Sequence, residues 1–317
     1  MDLFIGMDLG GTNLKYALGN ENGEIIIKKS RPSQANQSQK TIFENMFIAV
    51  EELKAEAEKR KNKILSIGVG SPGSIDFETG QLKGSTPNLP NWAKAPIKKT
   101  LEEKFNISTW ADNDANIMAL AEARLGAGKG YKNILCLTLG TGIGGGILID
   151  NQVLRGEHYS AAEVGHIIIA YNGIRCNCGN KGCLEAYTTA PAMVKRYQKK
   201  LKRLGLAYNI NELNTEFIFQ KASRNEGLAI ETIAETCEYL GAGIASISNI
   251  IDPEVVIIGG GVSEAGDPFI KQIENEVRQY SVKAIMQNLK IVRAQMGNDA
   301  GIVGAILLAA ENYSDDN

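Results

Sequence analysis

The residues best suited to chemistry are concentrated between His166 and Glu185. This stretch reads His-Ile-Ile-Ile-Ala-Tyr-Asn-Gly-Ile-Arg-Cys-Asn-Cys-Gly-Asn-Lys-Gly-Cys-Leu-Glu. It sets one imidazole, His166, beside three thiols, Cys176, Cys178 and Cys183. Zn2+ takes four nitrogen or sulfur ligands in a tetrahedron, and a Cys3His set supplies them. Gly173, Gly179 and Gly182 let the backbone turn back on itself around an ion. A disulfide is disfavoured, because three clustered thiols leave one over. Two carboxylates bracket the cluster, Glu163 before the histidine and Glu185 after the last cysteine, so a metal knot here would fix both in space. A purely structural zinc loop is the plainer reading.

A second set of residues points to phosphate. Asp8-Leu9-Gly10-Gly11-Thr12 joins a carboxylate to a glycine turn and a hydroxyl, with Lys15 just beyond. Glycine turns bring backbone N–H groups close to anions. Asp8 repels a bare phosphate, so its natural partner is Mg2+ or a metal-bound water. Gly140-Thr141-Gly142 offers another such turn. Gly259-Gly260-Gly261 could let a flat nucleobase lie against the backbone. Each turn alone reads as an ordinary hairpin; three at strand ends favour a nucleotide. No Walker loop is present. Asp112-Asn113-Asp114-Ala115-Asn116 follows a strand and opens a helix, so one of Asp112, Asn113 or Asp114 must be the N-cap. Capping needs one residue, and four of these five are polar. An Asp at a strand's carboxyl end can take the proton of an alcohol attacking phosphorus. Asn113 suits a sugar hydroxyl.

The elements that position these residues follow from periodicity. Strands are expected at Leu3–Leu9, Asn13–Leu18, Ile25–Lys28, Ile64–Gly70 and Ile107–Ala111, with helices at Thr41–Arg60, Ile97–Phe105 and Ala115–Leu125. The pattern then begins again. Asn133–Leu139, a glycine turn, Ile143–Ile149 and a short Val153–Arg155 echo the first strand, turn and hairpin, which indicates an internal duplication. Helices follow at Ala190–Leu204, Thr215–Ser223 and Gly227–Ile250. Val255–Ile258 and Leu289–Arg293 are strands, while Pro268–Tyr280 and Ala300–Glu311 are helices. Two similar αβ lobes predict an α/β protein with an interdomain cleft, into which the strand-end turns face. The smaller lobe is placed at residues 1–116 plus the helix from about 300 to 317. The larger takes 117–299 with its zinc loop at 166–185.

Composition narrows the class. The chain has 317 residues, 44% hydrophobic and 22% charged, with a formal net charge of −2. This fits a globular protein with a substantial core and gives no electrostatic reason to expect nucleic acid or an anionic membrane. No basic, apolar leader precedes the first strand, and no apolar run is long enough to span a bilayer. Free thiols with a metal site point to the reducing cytoplasm. Cys136 and Cys237 read as inert core residues.

In combination these residues resemble the ROK family of sugar kinases, within the actin-like ATPase superfamily. The carriers are Asp8-x-Gly-Gly-Thr12, Asn113-Asp114-Ala-Asn116, Leu139-Gly-Thr-Gly-Ile-Gly144, Glu163-x-Gly-His166, the run Cys176-x-Cys-Gly-x-x-Gly-Cys183-x-Glu185, and Gly259-Gly-Gly261. The loop Pro87-Asn-Leu-Pro-Asn-Trp92 is similar to the glucokinase branch, with Asn91 where Gly is usual. Asp112 stands where Glu is frequent. The resemblance implies a two-lobed, duplicated RNase H-like fold and ATP-dependent phosphorylation of glucose at its 6-hydroxyl. Asp114 is then the general base. Asn88, Asn113, Glu163, His166 and Glu185 hold the other hydroxyls, His166 sharing itself between zinc and sugar. Asp8, Gly10, Gly11, Thr12, Gly140, Thr141 and Gly142 hold the ATP phosphates and Mg2+, and Gly260 lies by the adenosine. A homodimer is implied too. Alternatives within the family are an N-acetylmannosamine, N-acetylglucosamine, allose or fructose kinase, and, more remotely, a non-catalytic sugar sensor or transcription regulator. The start of the first strand at Leu3 leaves no room for a preceding DNA-binding segment on this reading.

Overall fold

The computed structural model describes residues 2–84 and 89–313. The chain divides into two compact units. One comprises Met1–Gly130, Val153–Ala162 and Met296–Asn317, and the other Tyr131–Gln152 with Glu163–Gln295.

The first unit opens with β1 (Asp2–Leu9), β2 (Asn13–Gly19) and β3 (Ile25–Pro32), followed by α1 (Gln39–Lys59) and β4 (Lys63–Ser71). A small hairpin, β5 (Ile75–Asp76) and β6 (Gln81–Leu82), precedes α2 (Ile97–Phe105), β7 (Ser108–Asn113) and α3 (Asp114–Leu125). The sheet order is β3-β2-β1-β4-β7. β1 and β2 pair antiparallel, while β1–β4 and β4–β7 pair parallel. Central β1 is almost wholly buried, as its continuous apolar run Leu3–Met7 requires. Ser38 starts α1 by accepting from Thr41 N at 3.2 Å.

The second unit repeats the plan. β8 (Ile134–Leu139), β9 (Ile143–Ile149) and β10 (Gln152–Val153) are followed by α4 (Glu185–Thr188), α5 (Ala190–Arg203), α6 (Thr215–Ser223) and α7 (Gly227–Ile251). Then come β11 (Val255–Gly259), α8 (Asp267–Tyr280), α9 (Lys283–Met286) and β12 (Lys290–Arg293). The order β10-β9-β8-β11-β12 matches the first sheet strand for strand. Again a hairpin pairs antiparallel, β8 with β9, and β8–β11 and β11–β12 pair parallel. The duplication expected from the sequence is present in the topology.

The chain returns to the first unit with α10 (Ala300–Asn312). Every residue from Ala300 to Ala309 is buried. This all-round apolar helix packs on the first sheet and on α3, where Ile117, Leu120 and Ala121 meet Val303, Leu307 and Leu308. Its approach to β4 is so close that a Cβ on Gly68 would overlap the Ala305 carbonyl. The same packing places α3 in the first unit, so the contact division runs at Gly130, beyond the sequence expectation of 116. Likewise 153–162 groups with the first unit, through Val153 in that core and an ion pair described below. The β5–β6 hairpin and the four-residue helices α4 and α9 have no counterpart in the sequence reading, being too short to show a period.

Candidate functional site

In the second unit the three thiols and the imidazole come together. The ligand atoms of His166, Cys176, Cys178 and Cys183 all lie within 4.8 Å of one another. Cys178 Sγ is 3.7 Å from Cys183 Sγ, and Cys176 Sγ is 3.8 Å from His166 Nδ1. A tetrahedron with Zn–S bonds of about 2.3 Å has edges of about 3.8 Å, so the set fits Zn2+. Backbone bonds hold the loop in this shape. Cys176 N donates to Asn180 O at 2.8 Å, Gly182 N to Ile174 O at 2.8 Å, and Leu184 N to Ile167 O at 2.9 Å. Ile174 N donates to Tyr187 Oη at 2.7 Å, and the Arg196 guanidinium donates to the Tyr187 carbonyl. Burial pushes the Cys183 thiol up to about 12 and raises Cys176, whereas the Asn180 backbone N–H lowers exposed Cys178. The pocket thus suits neutral thiols or a metal that displaces their protons.

Glu185, the first residue of α4, ties this knot to the glycine turn after β8. Its Oε2 accepts from Ile143 N at 3.1 Å, and its Oε1 lies 3.7 Å from Cys176 Sγ. Ile143 directly follows Gly142. Glu163 is exposed and precedes the short 3-10 turn Val164–His166, whose His166 N donates to Glu163 O at 3.0 Å. Within the turn, Gly140 N donates to Gly142 O at 3.0 Å, leaving Thr141 and Gly142 exposed at the tip. Gly260 has φ +83°, and a Cβ there would overlap the Leu139 backbone. Glycine is therefore required by close packing on the end of β8.

In the first unit the turn after β1 has the same form. Gly10 N donates to Asn13 O at 2.9 Å, and Gly11 and Thr12 are exposed. Asp8 lies beneath, its side chain 22% exposed, with Lys15 Nζ at 4.0 Å. Burial raises its carboxyl above the ordinary value, and the Lys15 charge offsets part of this. Lys15 Nζ itself donates to Asn298 O at 3.0 Å.

β7 runs through Asp112 and Asn113, pairing Asn113 with Ser71 of β4, so the polar run divides between strand and helix. Asn113 is the N-cap of α3: its Oδ1 accepts from Ala115 N at 2.9 Å and Asn116 N at 3.3 Å, and its Nδ2 donates to Gly73 O at 3.1 Å. Asp114 is the first helical residue, its Oδ1 accepting from Ala115 N at 2.9 Å. Asp112 is buried and paired with Arg155 Nε at 2.8 Å. Arg155 was not singled out in the sequence, where it is a lone cation in Leu-Arg-Gly. Asn88 lies outside the described residues. Asn91, at the departure from the usual Gly, donates through Nδ2 to Asn36 O and Gln37 O at 3.2 and 2.9 Å, pinning the loop to the segment before α1. Trp92 is fully buried and donates to Ser71 Oγ at 3.0 Å. His158 is exposed, and Cys136 and Cys237 are buried.

Two sheets on one strand plan, with a Cys3His loop in the second, define an α/β fold of the actin-like ATPase kinase type. The chain belongs to the ROK family, which it matches over residues 4–312. It is 36% identical over 308 residues to a glucokinase from Halalkalibacterium halodurans, covering 95% of this chain and 93% of that one. It is similar to the crystal structure of a ROK family glucokinase from Streptomyces griseus in complex with glucose and AMPPNP. That match has a TM-score of 0.81 and 30% identity, covering 98% of this chain and 100% of the other. A xylose repressor from Caldicellulosiruptor bescii is 33% identical, covering 96% of this chain and 77% of the repressor.

Proposed function

We propose that this chain transfers the γ-phosphoryl group of ATP to the 6-hydroxyl of glucose. The observation that carries the reading is Glu185, which touches both the Cys3His knot and the residue following the Gly140–Gly142 turn. One carboxylate thereby couples the element suited to orienting a sugar with the element suited to holding phosphate. The family membership and the glucokinase relatives support the same conclusion.

Asp114 takes the proton from the 6-hydroxyl as that oxygen attacks phosphorus. Asn88, Asn113, Glu163, His166 and Glu185 hold the remaining hydroxyls. His166 directs Nδ1 to the thiols, which leaves Nε2 for a sugar hydroxyl. Zn2+ held by His166, Cys176, Cys178 and Cys183 would fix that ring and the loop, contributing folding energy and no bond-making. The first glycine amide of each turn is engaged internally, so Gly11, Thr12, Thr141 and Gly142 are the groups left for ATP phosphates. Gly10 and Gly140 shape the turns, and Gly260 flanks the adenosine. Asp8 would hold Mg2+, whose charge neutralises the phosphates. No described helix is long and apolar enough to cross a membrane. A cluster of thiols suited to a metal fits a reducing cytoplasm, where we place the enzyme as a homodimer with no nucleic-acid partner.

The deciding experiment is ADP release with MgATP over a panel of hexoses and N-acetylhexosamines. Glucose is expected to give the highest kcat/KM. A higher value for N-acetylmannosamine, N-acetylglucosamine, allose or fructose would reassign the substrate. No ADP release with any sugar would favour a sensor or regulator.

A further inference from the structure

Asp112, two residues before the proposed base, is a buried carboxylate with a side chain 3% exposed. Its Oδ2 accepts from Arg155 Nε at 2.8 Å. Its Oδ1 accepts from Asn113 N at 2.7 Å and from Asn116 Nδ2 at 3.0 Å. These partners flank Asp114 on both sides, one in the last residue of β7 and one in the first turn of α3. Burying a carboxylate is costly unless it is paired, and Arg155 supplies the pairing cation. Arg155 is held in turn: its guanidinium lies 3.6 Å from the centre of the Phe77 ring, and Phe77 stacks on Trp110 of β7 at 5.5 Å. The segment carrying Arg155 otherwise has little regular structure, and Gly156, Tyr159 and Ala162 all have positive φ.

We infer that Arg155 is a positioning residue for phosphoryl transfer. Acting through Asp112, it fixes the strand-to-helix junction from which Asp114 and Asn113 project. This rests on the kinase reading above. The reaction needs the base within hydrogen-bond reach of the attacking hydroxyl, and a misplacement of about 1 Å costs as much as 10²-fold. Arg155 acts through Asp112 rather than on sugar or phosphate, so its effect falls on kcat and on the KM for glucose, which Asn113 binds. The KM for MgATP, set by Asp8 and the glycine turns, stays unchanged.

The test uses the full-length protein, with wild type assayed first. Arg155→Met keeps the aliphatic stem and removes the charge, and is expected to lower kcat by roughly 10- to 10²-fold. Arg155→Lys restores part of that loss, because a cation again reaches Asp112. Arg155→Met alone leaves a buried charge unpaired and could unfold, so the double variant Arg155→Met/Asp112→Leu is made beside it. Replacing a buried ion pair by apolar side chains commonly preserves stability, but here it also removes the acceptor for Asn113 N and Asn116 Nδ2. The double variant is expected to melt below wild type but still in one cooperative transition, and to turn over at least about tenfold slower at a temperature where it is folded, with the KM for MgATP within about twofold. A folded double variant with wild-type kcat and KM for glucose would show that the pair only stabilises, and would overturn the inference alone. A wild-type chain inactive on every sugar would overturn the kinase reading and the inference with it.

Discussion

A helix start that must also present a base has two duties, and at residues 112–114 they fall on neighbouring side chains. Asn113 satisfies the helix amides, and Asp114 stands next to it at the first helical position. Asp114→Asn should therefore leave the cap intact. Thermal melting and glucose titration are expected near wild type, with kcat lower by about 10²-fold or more. Wild-type turnover in that variant would remove Asp114 from the chemistry. Asp8 makes the opposite trade. Burial raises its carboxyl, so between the ordinary and the raised value the folded chain holds a proton that the unfolded chain releases. Stability contributed by that proton is complete below the ordinary value and is lost as pH rises through the raised one. Asp8→Asn removes the cost of burying the anion, and is expected to melt at or above wild type at neutral pH while losing MgATP-dependent turnover. A lower melting temperature with turnover intact would contradict both halves.

Among the elements, the Cys3His loop shows how far a local pattern can be read. Its imidazole and thiols lie close in sequence, so type and spacing were enough to expect them to cluster, and the glycine turns were visible for the same reason. The N-cap of α3 was ambiguous because Asp112, Asn113 and Asp114 are all cap-forming types. Only the length of β7, set by its pairing with β4, settles the matter. The partnership of Asp112 with Arg155 was illegible, since 43 residues separate them and no period marks the second. Glu185 was found as a carboxylate, but its bond to Ile143 N needed the fold. The loop's dependence on its ion is testable. Purified protein is expected to carry one zinc per chain by elemental analysis. A strong chelator should lower the melting temperature and weaken glucose binding, and readded zinc should restore both. Tyr187→Phe removes the acceptor for Ile174 N, at a cost of about 1 kcal/mol, and should speed zinc loss in chelator competition. Unchanged zinc release would mean that the loop does not lean on α4.

At the scale of the molecule, the duplication was legible because both halves repeat a strand, a glycine turn and a hairpin. The assignment of α3 and residues 153–162 was not, since it depends on contacts with α10 and Asp112 rather than on sequence neighbours. α10 completes the first unit although the second unit lies before it in the chain. Ile302, Val303, Ile306, Leu307 and Leu308 are all buried there. At about 1.5–3 kcal/mol for each such side chain, their burial is worth on the order of 10 kcal/mol, comparable to the whole stability of a domain. Deleting residues 300–317 should therefore leave the first unit unfolded, seen as rapid proteolysis within 2–130. Recovery of protease resistance on adding a peptide of residues 296–313 would confirm that α10 supplies the missing face.

The late arrival of α10 also bears on biogenesis. While a ribosome is still translating residues 131–295, the amino-terminal sheet has already emerged with its greasy side uncovered. The nascent polypeptide then needs shelter from a chaperone, or must linger in a loose collapsed form, until the sealing helix clears the exit tunnel.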